Sequence, residues 1–197
     1  MNAELQRRWA LVGALAGVLA ACMGPTPDAV SSAVPSAQTF LGALRPADLG
    51  RDVEAVQLVT VSREAQAITV EVRLSVRAGR LILVAQDMLG QRLMTVQWTD
   101  AGLTAERAPT LPDLVSPAGM LADLVAISWP EDSVRRALAG MNAELVVEAG
   151  RRMVRQGREE TLRATLGWTP GGPWTGRMSY RNVRAGYTVD VQSVEAR

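Results

Sequence analysis

Cys22 is the only cysteine in the chain, and it stands directly behind Leu19-Ala20-Ala21. A basic pair, Arg7-Arg8, precedes an apolar run from Trp9 to Ala21 that ends in small residues. That order is the layout of a cleaved secretory signal, and the run is too short to cross ~30 Å of hydrocarbon comfortably as a permanent helix. A cysteine placed first after the cut suits one chemistry: its thiol takes a diacylglycerol thioether and its freed amine a further acyl chain. At ~0.8 kcal/mol per buried methylene, one chain holds a protein only reversibly, whereas two or three hold it for long. The expectation is a chain that loses residues 1–21 and is tied to a membrane by acyl groups on Cys22. Met23, not Asp, follows the cysteine; under the sorting rule of enteric lipoproteins this points to the periplasmic face of the outer membrane.

The other side chains narrow the chemistry by what is missing. The chain has no His, and all its basic residues are Arg, so a histidine base, a histidine metal ligand and a lysine Schiff base are excluded. Cys22 has no partner for an intramolecular disulfide and, once acylated, is no thiolate nucleophile. No G-x-S-x-G elbow, phosphate-binding glycine loop, metal-spaced cluster or dinucleotide fingerprint occurs. Carboxylate acid/base chemistry stays formally open through Glu106, Asp113 and Asp123. The ordinary alternative is that Glu106 and Arg107 make polar contacts that fix the adjoining proline loop. The reading adopted is non-enzymatic, with no catalytic residue, cofactor or metal.

The chain holds 21 basic and 20 acidic residues. Arg7, Arg8 and Glu4 lie in the leader, so the remainder carries 19 of each sign. A nucleic-acid binder needs clustered cations to displace phosphate counterions, and here Arg alternates with Asp and Glu along the chain, so no nucleic-acid partner is expected.

Residues 22–44 follow the leader with Gly, Pro, Ala and Ser and a single charge, Asp28. They read as the lipidated cysteine and a flexible linker, with a reach of roughly 25 Å. One domain is expected over 45–197, long enough to be stable on its hydrophobic core alone. Its strongest signal has period two: Ile68, Val70, Val72, Leu74 and Val76 alternate with Thr69, Glu71, Arg73, Ser75 and Arg77, as a strand with one apolar and one wet face requires. Similar alternation covers 54–61, 80–86, 91–99 and 102–105, joined by short turns such as Ala78-Gly79 and Leu89-Gly90. Short links force antiparallel hairpins.

Ser116-Pro117 then reads as an N-cap and first helical residue. Met120, Leu124 and Ile127 form an apolar stripe widened by Leu121 and Val125; the helix ends before Pro130, and a second short helix is predicted from Glu131 to Ala139. Strands are predicted again over 142–148, 151–156, 158–168, 174–184 and 187–194. Five strands, one or two helices and five strands predict an α+β fold, a strongly curved antiparallel half barrel with the helices on its concave side. A closed barrel with an external helix is the competitor.

Gly50-Arg51-Asp52, Leu89-Gly90-Gln91-Arg92, the run from Gly102 to Pro109 with Leu111-Pro112, Leu121-Ala122-Asp123-Leu124, Trp129-Pro130 and Gly186-Tyr187 together resemble an uncharacterised family of bacterial lipoproteins. The resemblance spans about residues 48–194. It implies genes lying beside aryl-polyene or fatty-acid-like synthesis genes, and a fold similar to the LolA and LolB lipoprotein carriers, in which helices cover an open half barrel and acyl chains enter between. It implies a non-enzymatic outer-membrane role in receiving a lipid, a lipoprotein or a polyene-type acyl ligand, with a periplasmic carrier protein as partner. Ile68, Val70, Val72, Leu74, Met94, Val96, Met120, Leu124 and Met178 are the residues expected to face that groove or the core beneath it. The rival reading is a cell-envelope scaffold or export-machine accessory with a solid core.

Overall fold

The computed structural model describes residues 36–111, 116–168 and 172–196. Helix α1 (Ala37–Gly42) and a 3₁₀ turn (Pro46–Leu49) precede a meander of β1 (Val53–Arg63), β2 (Gln66–Arg77), β3 (Arg80–Gln86), β4 (Arg92–Thr99) and β5 (Gly102–Arg107). Helices α2 (Pro117–Ser128) and α3 (Glu131–Ala139) follow, then a second meander of β6 (Ala143–Glu148), β7 (Arg151–Gln156), β8 (Glu159–Trp168), β9 (Gly176–Asn182) and β10 (Tyr187–Glu195). All ten strands form one sheet in the order β5-β4-β3-β2-β1-β10-β9-β8-β7-β6. Every pairing is antiparallel. The sheet is open, with β5 and β6 at its two edges, so the closed barrel is not formed.

Period-two patterning sets the register. Val53, Ala55, Val59 and Val61 of β1 lie opposite Val76, Leu74, Val70 and Ile68 of β2, which puts the branched apolar residues of both strands on one face. A slip of one residue would turn that set to solvent. The inner face continues through Leu81, Leu83 and Ala85 of β3 and Met94, Val96 and Trp98 of β4. Across β10 and β9 it runs through Val191, Val189, Met178 and Tyr180.

Two contacts measure the curl. Trp98 on β4 and Arg152 on β7 lie seven strand steps apart, about 34 Å across a flat sheet at ~4.8 Å per step. Yet both touch Trp129: the Trp98 and Trp129 rings are centred 5.9 Å apart, and Arg152 Nη1 lies 2.7 Å from the Trp129 carbonyl oxygen. The sheet therefore wraps around the end of α2.

Ser116 Oγ accepts the Gly119 amide at 2.9 Å, capping α2 as its sequence predicts. The helix stops at Trp129, whose backbone is extended ahead of Pro130. The expected single apolar stripe is corrected here: Leu121 to Trp129 are all buried. A helix enclosed by a curled sheet meets side chains on every flank, so it is buried all round and mostly apolar, with Asp123 and Ser128 the polar residues of that stretch.

The linker over 22–44 and the domain start at 45 need a second correction. Ser36 caps α1 through its Oγ, and Phe40, Leu41 and Leu44 are buried in the main core. Six residues span too few turns to show a helical period, so residues 36–44 read as linker although they fold. The strand expected over 174–184 is shorter, Gly176–Asn182, because Trp174 turns inward from the preceding loop. Residues 1–21, where a cleaved leader is expected, Cys22 and Asp113 lie outside the described residues. No helix among those described is long and apolar enough to cross a membrane.

Candidate functional site

The residues expected to line a groove are brought together by the curl. Ile68, Val70, Val72 and Leu74 stand on the inner face of β2, Met94 and Val96 on β4, Met178 on β9, and Met120 and Leu124 on α2. All belong to or pack against one apolar core. Val70, Val72, Leu74, Met94, Val96, Leu124 and Met178 are buried; Ile68 and Met120 are partly buried.

Trp98, Trp129 and Trp174 form an aromatic chain at one end of this interior. Trp129 and Trp174 meet edge to face with ring centres 6.2 Å apart, an arrangement suited to the ring quadrupoles. The Trp129 indole N–H donates to the Arg45 carbonyl at 3.4 Å, which ties the segment following α1 to α2. Nothing is described of the Trp168 side chain.

Two buried polar groups hold α2 from either side. Arg152 Nη1 donates to the carbonyls of Ile127 and Trp129, each at 2.7 Å. These are end-of-helix carbonyls without an intrahelical donor, and a cation there also complements the helix dipole. Burial lowers the Arg152 pKa, against the attraction of Glu131.

On the other flank, the Asn182 amide donates to Asp123 Oδ2 at 2.9 Å and to Tyr187 Oη at 3.0 Å. Tyr187 Oη donates to the same Asp123 oxygen at 2.5 Å. Burial pushes the Tyr187 hydroxyl far above its ordinary range, reinforced by Tyr180 and Asp123; burial and then Asp123 do the same to Tyr180. Arg152, Asn182 and Tyr187 were not singled out as polar anchors from sequence. The signal for Arg152 was a charged residue at an inward position of β7, between Val147 and Ala164 in the register.

Glu106 is exposed on edge strand β5, whereas Asp123 is wholly enclosed, so the two carboxylates do not share an environment. Arg107 Nη2 donates to the Leu111 carbonyl at 3.1 Å and so holds the loop after β5. Among the described residues no group of three His, Cys, Asp or Glu is placed to hold a metal.

An open cleft of about 400 Å³ lies beside this interior, between α1 and the β4–β5 hairpin. Its apolar wall is Leu41, Leu44, Trp98 and Leu103, and Arg45, Thr99 and Asp100 give it polar edges. Its volume falls within the ~300–1,000 Å³ range of small-ligand sites. A second cleft, about 480 Å³, crosses the outer face over β1, β10, β9 and β8.

No curated protein matches the chain in sequence. Among solved structures it is similar to the crystal structure of a DUF1329 family protein from Desulfovibrio piger, with 10% identity and a TM-score of 0.32 over 82% of this chain and 92% of that one. A likeness at that level transfers no role to any residue. A family model described as a protein of unknown function, DUF3261, matches residues 54–195. That stretch takes in all ten strands with α2 and α3, and the chain belongs to the DUF3261 family.

Proposed function

We propose that this chain is a non-enzymatic lipoprotein, held by acyl groups on Cys22 at the periplasmic face of the outer membrane, that accepts an acyl or polyene-type ligand. The observation that carries the reading is the cleft between α1 and the β4–β5 hairpin. Behind it Leu41, Leu44 and Trp98 are buried and Leu103 is partly buried, so a hydrocarbon tail entering there reaches apolar surface, and beyond it the aromatic chain at Trp129, as these side chains move aside, with Arg45 and Asp100 left at the rim for a polar head. Ten methylenes moved out of water contribute about 8 kcal/mol before association costs, so such a site needs few polar contacts. A tail longer than the cleft extends inward by displacing α2 from the β2, β4 and β9 side chains.

The rival reading, an envelope scaffold or export-machine accessory, is favoured by one observation: α2 already occupies the curl with Leu121–Trp129 buried. Native mass spectrometry of protein isolated from its host and stripped of detergent separates the two. Copurified acyl ligand, lost on Leu103→Glu at the cleft wall, supports the acceptor. Ligand-free protein that refuses added fatty acid and phospholipid overturns it.

A further inference from the structure

The β3–β4 turn presents two large apolar side chains to water, Met88 at 68% and Leu89 at 94% exposure. The turn that carries them is firmly built. Asp87 Oδ1 accepts the amides of Leu89 and Gln91 at 2.9 and 2.8 Å. The Asp87 amide donates to the Gln91 carbonyl at 2.9 Å, and the Gly90 amide to the Asp87 carbonyl at 3.0 Å. Gly90 takes φ 82, a conformation that favours glycine. The one acidic group of the turn is thus directed inward onto backbone amides, while Met88 and Leu89 project outward from a fixed base.

Strand direction places this turn. The β1–β2, β3–β4, β7–β8 and β9–β10 turns all lie at one end of the antiparallel sheet, and α1 lies at the other, beside the β4–β5 turn. The same end carries exposed Val183 in the β9–β10 turn. Arg63, Arg92, Arg158 and Arg184 stand in or next to these turns, against three acidic groups, Glu64, Asp87 and Glu159, of which Asp87 is turned onto backbone amides. Excess cations around apolar tips match anionic headgroups above hydrocarbon: the apolar side chains enter the interface while the guanidinium groups remain at headgroup level.

We infer that this end of the sheet is a membrane-contact surface, with Met88 and Leu89 inserting into the interfacial region of a bilayer containing anionic lipid. The contact is separate from the lipid on Cys22, because the chain enters the fold at the opposite end, and it holds whether or not the interior accepts an acyl ligand.

The test uses the full-length protein reconstituted into vesicles of phosphatidylethanolamine and phosphatidylglycerol. An environment-sensitive fluorophore is attached through Leu89→Cys or, at the opposite end, through Ala78→Cys; any label on Cys22 is common to both. The expected result is blue-shifted emission at position 89, quenched at least twofold more by lipids carrying a nitroxide on the acyl chain than emission at position 78. Met88→Cys repeats the reading at the neighbouring position. Water-like emission at 88 and 89, with no more lipid quenching than at 78, overturns the inference, including the case in which a protein partner covers the turn.

Discussion

Arg152 Nη1 lies 2.7 Å from the carbonyl oxygen of Trp129, and this pair fastens the last turn of α2 to a strand near the far edge of the sheet. The same nitrogen holds the Ile127 carbonyl. Arg152→Met keeps much of the apolar stem but leaves both carbonyls without this donor. A loss of about 2–4 kcal/mol is expected, since each buried group left unsatisfied costs ~1–3 kcal/mol. Urea denaturation followed by tryptophan fluorescence measures it. An unchanged midpoint would show that water or another donor takes over the two oxygens.

The buried tyrosines give the fold an alkaline limit. Tyr180 and Tyr187 have hydroxyl pKa values raised above the ordinary 10, so the folded chain keeps protons that the unfolded chain releases. Their stabilising contribution is complete below pH 10 and declines as pH rises from there toward the folded-state values. Each group steepens the decline by up to about 1.4 kcal/mol per pH unit. Denaturation midpoints collected from pH 8 to 11.5 should fall above pH 10, and more gently in Tyr187→Phe. Equal slopes in the two proteins would remove Tyr187 from this account.

Helix α1 belongs to the folded unit. Phe40 is completely buried, and Phe40→Ala is expected to cost about 3–5 kcal/mol, the usual range for emptying an aromatic site in a core. Thermal unfolding provides the measurement. A change below 1 kcal/mol, on the order of an exposed substitution, would return residues 37–44 to the linker.

The cleft offers a gentler test of ligand entry than the deep core. Leu124→Arg and Met94→Arg would bury a cation in a packed apolar interior and unfold the protein before any ligand is tested. Leu103 is only partly buried, so Leu103→Glu should keep the unfolding midpoint within a few degrees while lowering retained acyl ligand at least fivefold. Retention equal to the unaltered protein would place the ligand elsewhere.

The sheet was legible because β2 alternates without interruption from Ile68 to Arg77, and because Ala78-Gly79 and Gln156-Gly157 leave room only for tight turns. Helix α3 was legible to both ends, from Glu131 after Pro130 to Ala139 before Gly140. What escaped depends on tertiary partners. Leu121, Ala122, Val125 and Ala126 look like the broad side of an amphipathic helix until the sheet is known to surround them. Asp123 looked like a candidate acid or base beside Glu106, but its chemistry is decided by Asn182 and Tyr187, about sixty residues away along the chain. Phe40 had no periodic neighbours to announce it.

The pairing at the middle of the sheet sets the order in which the chain can mature. Val56 lies opposite Val194, so the central seam joins the first strand to the last, whereas each five-strand meander closes through neighbouring hairpins. Local pieces form early and distant ones late when loop closure is the obstacle. Two half-sheets should therefore assemble during or soon after chain emergence and wait for residues 187–195 before they join. Until then β1 is a bare template for strands of other molecules. A chain truncated before β10 is expected to aggregate rather than to form a smaller version of the fold.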